Sequence, residues 1–367
     1  STGSLVLQTG KSAGSDLSKS GSIEIMTGNS FGVASGDVTI AAGSANSGTG
    51  SNGGNVLIQS GISSAGKSGD VKIVTAGLSS VEGGDDVGTG NIELSTGTSN
   101  VGTSGSFTIS TGDSMGAKSG AVLIQVGSSL SGQGGELVLQ AGDSTTSTGG
   151  SASLTSGSSG QGASGAVLIQ SATGLVGGSG AIQIESGTST TKSSGPITMQ
   201  SGASQAGSSG DTKFITGNSD KDTGDFLVQT GISNSDGGQI NLVAGDGTMS
   251  GGEILIKAGH SIAGEGGEIN LESGGSNEGS SGSISIASAS STILSGSVGM
   301  STGHSLDSSG DILLTTGGSD EGIAGSVAIA TGTSVSGENS ADIMLNAGGS
   351  SSSTGGSILI SSGSSEQ

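Results

Sequence analysis

One short unit, repeated from end to end, constrains this chain more than anything else in it. Aligned on their aliphatic positions, the copies read G-x-[IVL]-x-[IVL]-x-[TSA]-G-x-S-x-x-x-x-[SG], usually 15 residues long. Gly120-Ala121-Val122-Leu123-Ile124-Gln125-Val126-Gly127-Ser128-Ser129 begins one copy. Gly267-Glu268-Ile269-Asn270-Leu271-Glu272-Ser273-Gly274-Gly275-Ser276 begins another. About 24 copies follow one another with no interruption large enough for a second domain. A fixed period of this kind is the mark of a solenoid, so residues 1–367 are expected to form a single repeat domain.

Inside the unit, positions 3 and 5 are aliphatic while positions 2, 4 and 6 are mostly polar. Period-two alternation predicts one short strand per unit with one covered face. Position 7 is small, as at Thr27, Ser60, Thr96, Ala141 and Thr216, and is expected to point inward. Gly at positions 1 and 8 brackets the strand, where positive φ is expected at the turns. Ser at position 10 recurs, as at Ser30, Ser63, Ser99, Ser114, Ser204 and Ser261, and its hydroxyl can satisfy turn backbone groups. Pro196, the single proline, sits at the start of its segment, where a missing N–H donor costs least.

The fold expected from this pattern is all-β: a parallel β-solenoid (β-helix), with two units per coil. With one unit per coil the Ile and Val face would meet only Ser and Gly. With two, the aliphatic faces of successive units meet across a flat two-sheet rod. The long units beginning at Gly3, Gly36 and Gly69 alternate with short ones, which fits that arrangement. At about 4.8 Å per coil such a rod would be on the order of 60 Å long.

Composition alone points the other way. Only 29% of the residues are hydrophobic and 78 are Gly. A chain so poor in apolar surface tends not to offset its ordering entropy. The expectation of a fold therefore rests on periodicity overriding composition, with stability drawn from contacts between neighbouring units. Weak units are visible at Ala152 with Leu154 and at Thr212 with Phe214.

The formal charge is −21, from 30 acids against nine bases, all of them Lys. Nucleic-acid binding needs cations and usually aromatic platforms, and this chain has few of either. The same acidity disfavours anionic membranes. No apolar run reaches the roughly 18 residues of a membrane span, and there is no Cys for disulfides or thiolate metal sites.

Candidate sites are few. His260 and His304 both fall at position 9, three units apart, and read as exposed loop residues on opposite edges of a two-unit coil. Acid clusters at Asp85-Asp86, Asp220 with Asp222, and Asp320-Glu321 lie in Ser/Gly turns and read as solvated charge. Gly48-Thr49-Gly50-Ser51-Asn52-Gly53 and Gly160-Gln161-Gly162-Ala163-Ser164-Gly165 match G-x-G-x-x-G, but neither opens a helical pattern that would receive a phosphate. No catalytic, cofactor-binding or metal-ligating residue is assigned, and the chain is expected not to be an enzyme.

Position 4 carries the remaining signal. It faces outward, yet holds Leu57, Leu123, Val138, Leu168, Leu227, Leu255, Leu313, Met344 and Leu359 among charged and hydroxyl residues. Exposed aliphatic patches mark partner surfaces, so Leu57, Leu123, Leu168, Leu227, Leu255, Leu313 and Leu359 are candidates for lateral association. The mixture at position 4, which includes Glu24, Thr39, Lys72 and Glu93, breaks the plane of Thr that an ice-binding face would need. Neither terminus carries a recognisable polar cap, so the units are expected to continue beyond the chain or to stack end to end.

The unit, as in residues 165–179 and 325–340, resembles Gly/Ser-rich repeat regions of large extracellular proteins in microalgae and other protists. The resemblance covers nearly the whole chain and implies a secreted or cell-surface structural protein that self-associates into filaments. Ice binding and an adhesin stalk are the alternative expectations. The Ser- and Thr-rich turns offer sites for O-glycans, whereas no N-x-[ST] sequon occurs.

Overall fold

The computed structural model describes residues 3–12, 19–31, 34–46, 50–77, 88–335 and 341–363. It divides into two units, Ser1–Gln183 and Ile184–Gln367. In each, the chain alternates short extended segments with tight bends at the repeat period, for example bends at residues 115–117, 130–132 and 145–147 in the first and 262–264 and 277–279 in the second.

The expected β-solenoid is not what forms. Among the described residues there is no strand and no helix. None is buried, and every Val, Leu and Ile among the described residues remains more than a third exposed. The accessible surface is 36817 Å², against about 13,000 Å² for a typical folded chain of 34.1 kDa. The two-unit coil, the one-unit alternative and the flat two-sheet rod fall with the solenoid, since each requires a continuous ladder. The reason is compositional: two aliphatic side chains per Ser- and Gly-rich unit do not assemble an internal core.

What does form is a repeated clasp. The N–H of the Gly at position 1 donates to the carbonyl of position 8 in the preceding unit, as in Gly69 to Gly61 (3.0 Å), Gly150 to Gly142 (2.8 Å) and Gly282 to Gly274 (2.9 Å). The eight backbone–backbone bonds observed among the described residues are all of this single kind, one at each of eight junctions, without the second and third bonds that would make a ladder. Each clasp sets the end of one extended segment against the start of the next.

The clasp bears on two positions of the repeat. A Cβ added at Gly69 would lie 3.4 Å from the Ser60 Cβ, and one at Gly252 would lie 3.2 Å from the Ala244 Cβ. At the tightest junctions, such as Gly238, Gly252 and Gly267, position 7 of the preceding unit occupies the space a side chain at position 1 would need, whereas at Gly195 and Gly224 that space is open. Where position 7 is Val126, a Cβ at Gly135 would come within 2.6 Å of Val126 Cγ1. Positive φ is not the cause: among the described residues only Gly50 has it, at 89°. The expectation of left-handed backbone at positions 1 and 8 is corrected accordingly.

Position 7 is also where the small amount of burial concentrates. Thr9, Ser60, Ala141, Ser156, Ser171, Ser186, Thr230, Ala244, Ala258 and Ser273 are half-covered, and all occupy position 7. The only other described residue so covered is Ser261, at position 10. Where position 7 is Thr, its hydroxyl can make a link at a junction that has no backbone clasp: Thr9 Oγ1 donates to the Gly21 carbonyl at 3.1 Å, Thr27 Oγ1 to Gly36 at 3.1 Å, and Thr111 Oγ1 to Gly120 at 3.3 Å.

Candidate functional site

The surface with the most to offer a partner is built from the extended segments, and the turns hold those segments in place. Ser at position 10 accepts from the amide three residues on: Gly66 to Ser63 (2.9 Å), Gly102 to Ser99 (3.0 Å), Gly207 to Ser204 (3.0 Å) and Gly264 to Ser261 (2.9 Å). A hydroxyl thus takes the place of a backbone acceptor and closes the bend locally. Two units replace this Ser with Gly174 and Gly247. There the chain folds back so tightly that a side chain would collide with the carbonyls of Gly177 and Gly178 in one case and of Ser250 in the other.

Between the bends, alternation survives without a sheet. In residues 122–124, Val122 is 53% exposed, Leu123 81% and Ile124 61%, so positions 3 and 5 share a partly covered side and position 4 faces away. Residues 137–139 depart from this, with Leu139 more exposed than Val138. Positions 2 and 4 share the outward side. Lys213 Nζ lies 2.9 Å from Asp211 Oδ2, and Lys72 Nζ lies 3.8 Å from Asp70 Oδ2. Both pairs are well exposed and contribute little to stability.

Sequence reasoning missed one contact across a junction. Phe214, at position 5, stacks on Phe226, at position 3 of the next unit, with ring centroids 6.2 Å apart and planes inclined by 27°. Such pairs contribute about 0.5–1.5 kcal/mol, toward the lower end when exposed as here. The unit of Thr212 and Phe214 was expected to be weak, yet it holds this contact. Two of only four Phe in the chain, one unit apart at core-type positions, were the available signal.

The individually considered polar residues are not brought together. His260 and His304 are exposed at position 9 of their turns, and their expected placement on opposite edges of a coil lapses with the coil. Asp220, Asp222, Asp320 and Glu321 are exposed. Asp85 and Asp86 lie outside the described residues, as do Gly48 and Thr49. Among the described residues no three His, Cys, Asp or Glu approach closely enough to share a metal ion. In the second G-x-G-x-x-G match, the Gly162 amide already donates to Ser159 Oγ (2.8 Å) and the Gly165 amide to the Gly157 carbonyl (2.9 Å). Two amides a phosphate would need are therefore occupied within the chain.

The seven Leu expected at position 4 to mark a partner surface are exposed, as are the other Val, Leu and Ile side chains of the described residues. Leu57, Leu123, Leu168, Leu227, Leu255, Leu313 and Leu359 all project from their segments, each more exposed than the position-3 residue beside it. No helix among the described residues is long and apolar enough to cross a membrane. No protein-family model, no characterised protein and no solved structure matches this chain.

Proposed function

We propose that this chain is a structural protein whose copies associate into a filament or scaffold outside the cell or on its surface. The observation that supports this reading most directly is aliphatic surface that the chain itself leaves uncovered, presented once per unit at a spacing that is usually 15 residues. Large exposed apolar surface in a soluble protein usually marks association. The Ser-closed bends hold the segments apart and repeat them evenly, which favours extended assembly over a single binding event. Placement outside the cell rests on the likeness of the repeat to Gly/Ser-rich regions of extracellular proteins. The reading assigns no reaction, cofactor or metal to the chain.

Nothing specific favours ice binding. That function needs a level array of free hydroxyls, and the Thr9, Thr27 and Thr111 hydroxyls are spent as donors within the chain. Electron microscopy of the purified protein across a dilution series tests the proposal. Filaments or connected networks that appear above a threshold concentration are the expected outcome. Material that stays as single chains up to high concentration would overturn the proposal.

A further inference from the structure

The units with three consecutive large apolar residues at positions 3 to 5 fall into two sets. In one, an acid at position 2 precedes the triplet: Glu136, Asp225, Glu253, Asp311 and Asp342. In the other no charge is present between positions 2 and 7: residues 4–9, 55–60, 121–126, 166–171 and 357–362, of which 55–60, 121–126 and 166–171 stand out by their sequence. These three are nearly the same sequence: each contains Val-Leu-Ile-Gln, ending at Gln59, Gln125 and Gln170.

We infer that these three segments are the contacts by which one copy of the chain pairs with another, like segment against like segment. The reading rests on the proposed association and names its contact points. Six residues of high β-propensity with no charge and no Pro form the signature of segments that pair between chains, and Gln adds side-chain ladders. In a chain of net charge −21, an uncharged stretch is where two copies approach with least repulsion. The acids of the other set act as gatekeepers that keep equally apolar triplets apart. The backbone of all three segments is free of any ladder within the chain, and Leu57, Leu123 and Leu168 are 83, 81 and 77% exposed.

The area suffices. A Val, Leu or Ile side chain offers roughly 60–120 Å² of apolar surface. The ten in these segments, at their observed exposure, present on the order of 500 Å² per chain and about 1,000 Å² per pair, where specific interfaces begin. The occupant is a second copy because in-register pairing of identical segments sets every aliphatic residue and every Gln against its own kind.

Two triple variants of the full chain test this. One carries Leu57→Lys, Leu123→Lys and Leu168→Lys in the uncharged segments. The other carries Leu227→Lys, Leu255→Lys and Leu313→Lys behind acids, with the same change in net charge. All six residues are between 76 and 83% exposed, so the two variants are matched in the little they remove from the chain's own packing. The threshold concentration for assembly is read by sedimentation and thioflavin fluorescence. The first variant is expected to raise that threshold tenfold or more, and the second to leave it within twofold of the parent. Equal assembly by all three proteins, or equal loss in both variants, overturns the contact assignment while leaving the filament reading in place. A parent chain that never assembles overturns both.

Discussion

At the scale of single residues, the repeat is a record of steric demands more than of dihedral ones. Small position 7 and hydroxyl-bearing position 10 were both legible in the sequence, and each turns out to touch the group its chemistry implies. Gly at position 1 was legible as a requirement, but its cause was not. A conserved-looking spacing of Gly fits positive φ and close approach equally well, and only the distance to the preceding position 7 separates them. The two causes make different predictions. Gly252→Val forces a side chain into the space of Ala244 and opens the clasp, whereas Gly231→Ala at position 8 meets nothing within 4 Å. Amide exchange by NMR should quicken roughly two- to tenfold at residue 252 in the first variant, the range that losing one modest hydrogen bond implies. The second variant should leave the neighbouring amides within about a factor of two, since most φ values near these junctions suit any residue. Comparable disruption by both would return positive φ as the explanation.

At the scale of the element, alternation announced an extended segment with a covered and an open side, and that much is present. The Lys213 pair with Asp211 at positions 2 and 4, and the lower exposure of Val122 and Ile124 beside Leu123, are its physical traces. The partner of the segment was not legible. Period two fixes which way side chains point but says nothing about whether a ladder neighbour exists. Here the single bond of each clasp ends the pairing before a sheet begins. Because the junction is the only link, each unit answers to its immediate neighbours. Excision of residues 267–281 should therefore let Gly282 take the place of Gly267 against Ala258 and Gly259. Amide signals of the bends closed by Ser204 and Ser319 should be unmoved, while those closed by Ser261 and Ser291 shift slightly. Shifts that spread to the distant bends would reveal coupling beyond adjacent units, of the kind a continuous ladder would carry.

At the scale of the whole molecule, two forces on the proposed assembly oppose one another, and their balance is open to measurement. Exposed aliphatic segments favour association through burial, a force largely indifferent to dilute salt. A charge of −21 on each copy opposes it, and that repulsion is screened over about 10 Å at 0.1 M salt but only 3 Å at 1 M. Raising salt at neutral pH should therefore lower the threshold concentration for assembly severalfold. Acidification should act in the same direction, because the net charge rises toward zero as pH falls to the isoelectric point near 4.1. Both trends can be followed by static light scattering on one preparation. The opposite sign would carry its own meaning. Assembly that weakens with salt would show that copies are held by Lys against Asp and Glu across the contact. The uncharged segments around Leu57, Leu123 and Leu168 would then be bystanders, and the exposed ion pairs at positions 2 and 4 would become the places where one chain exchanges partners with the next.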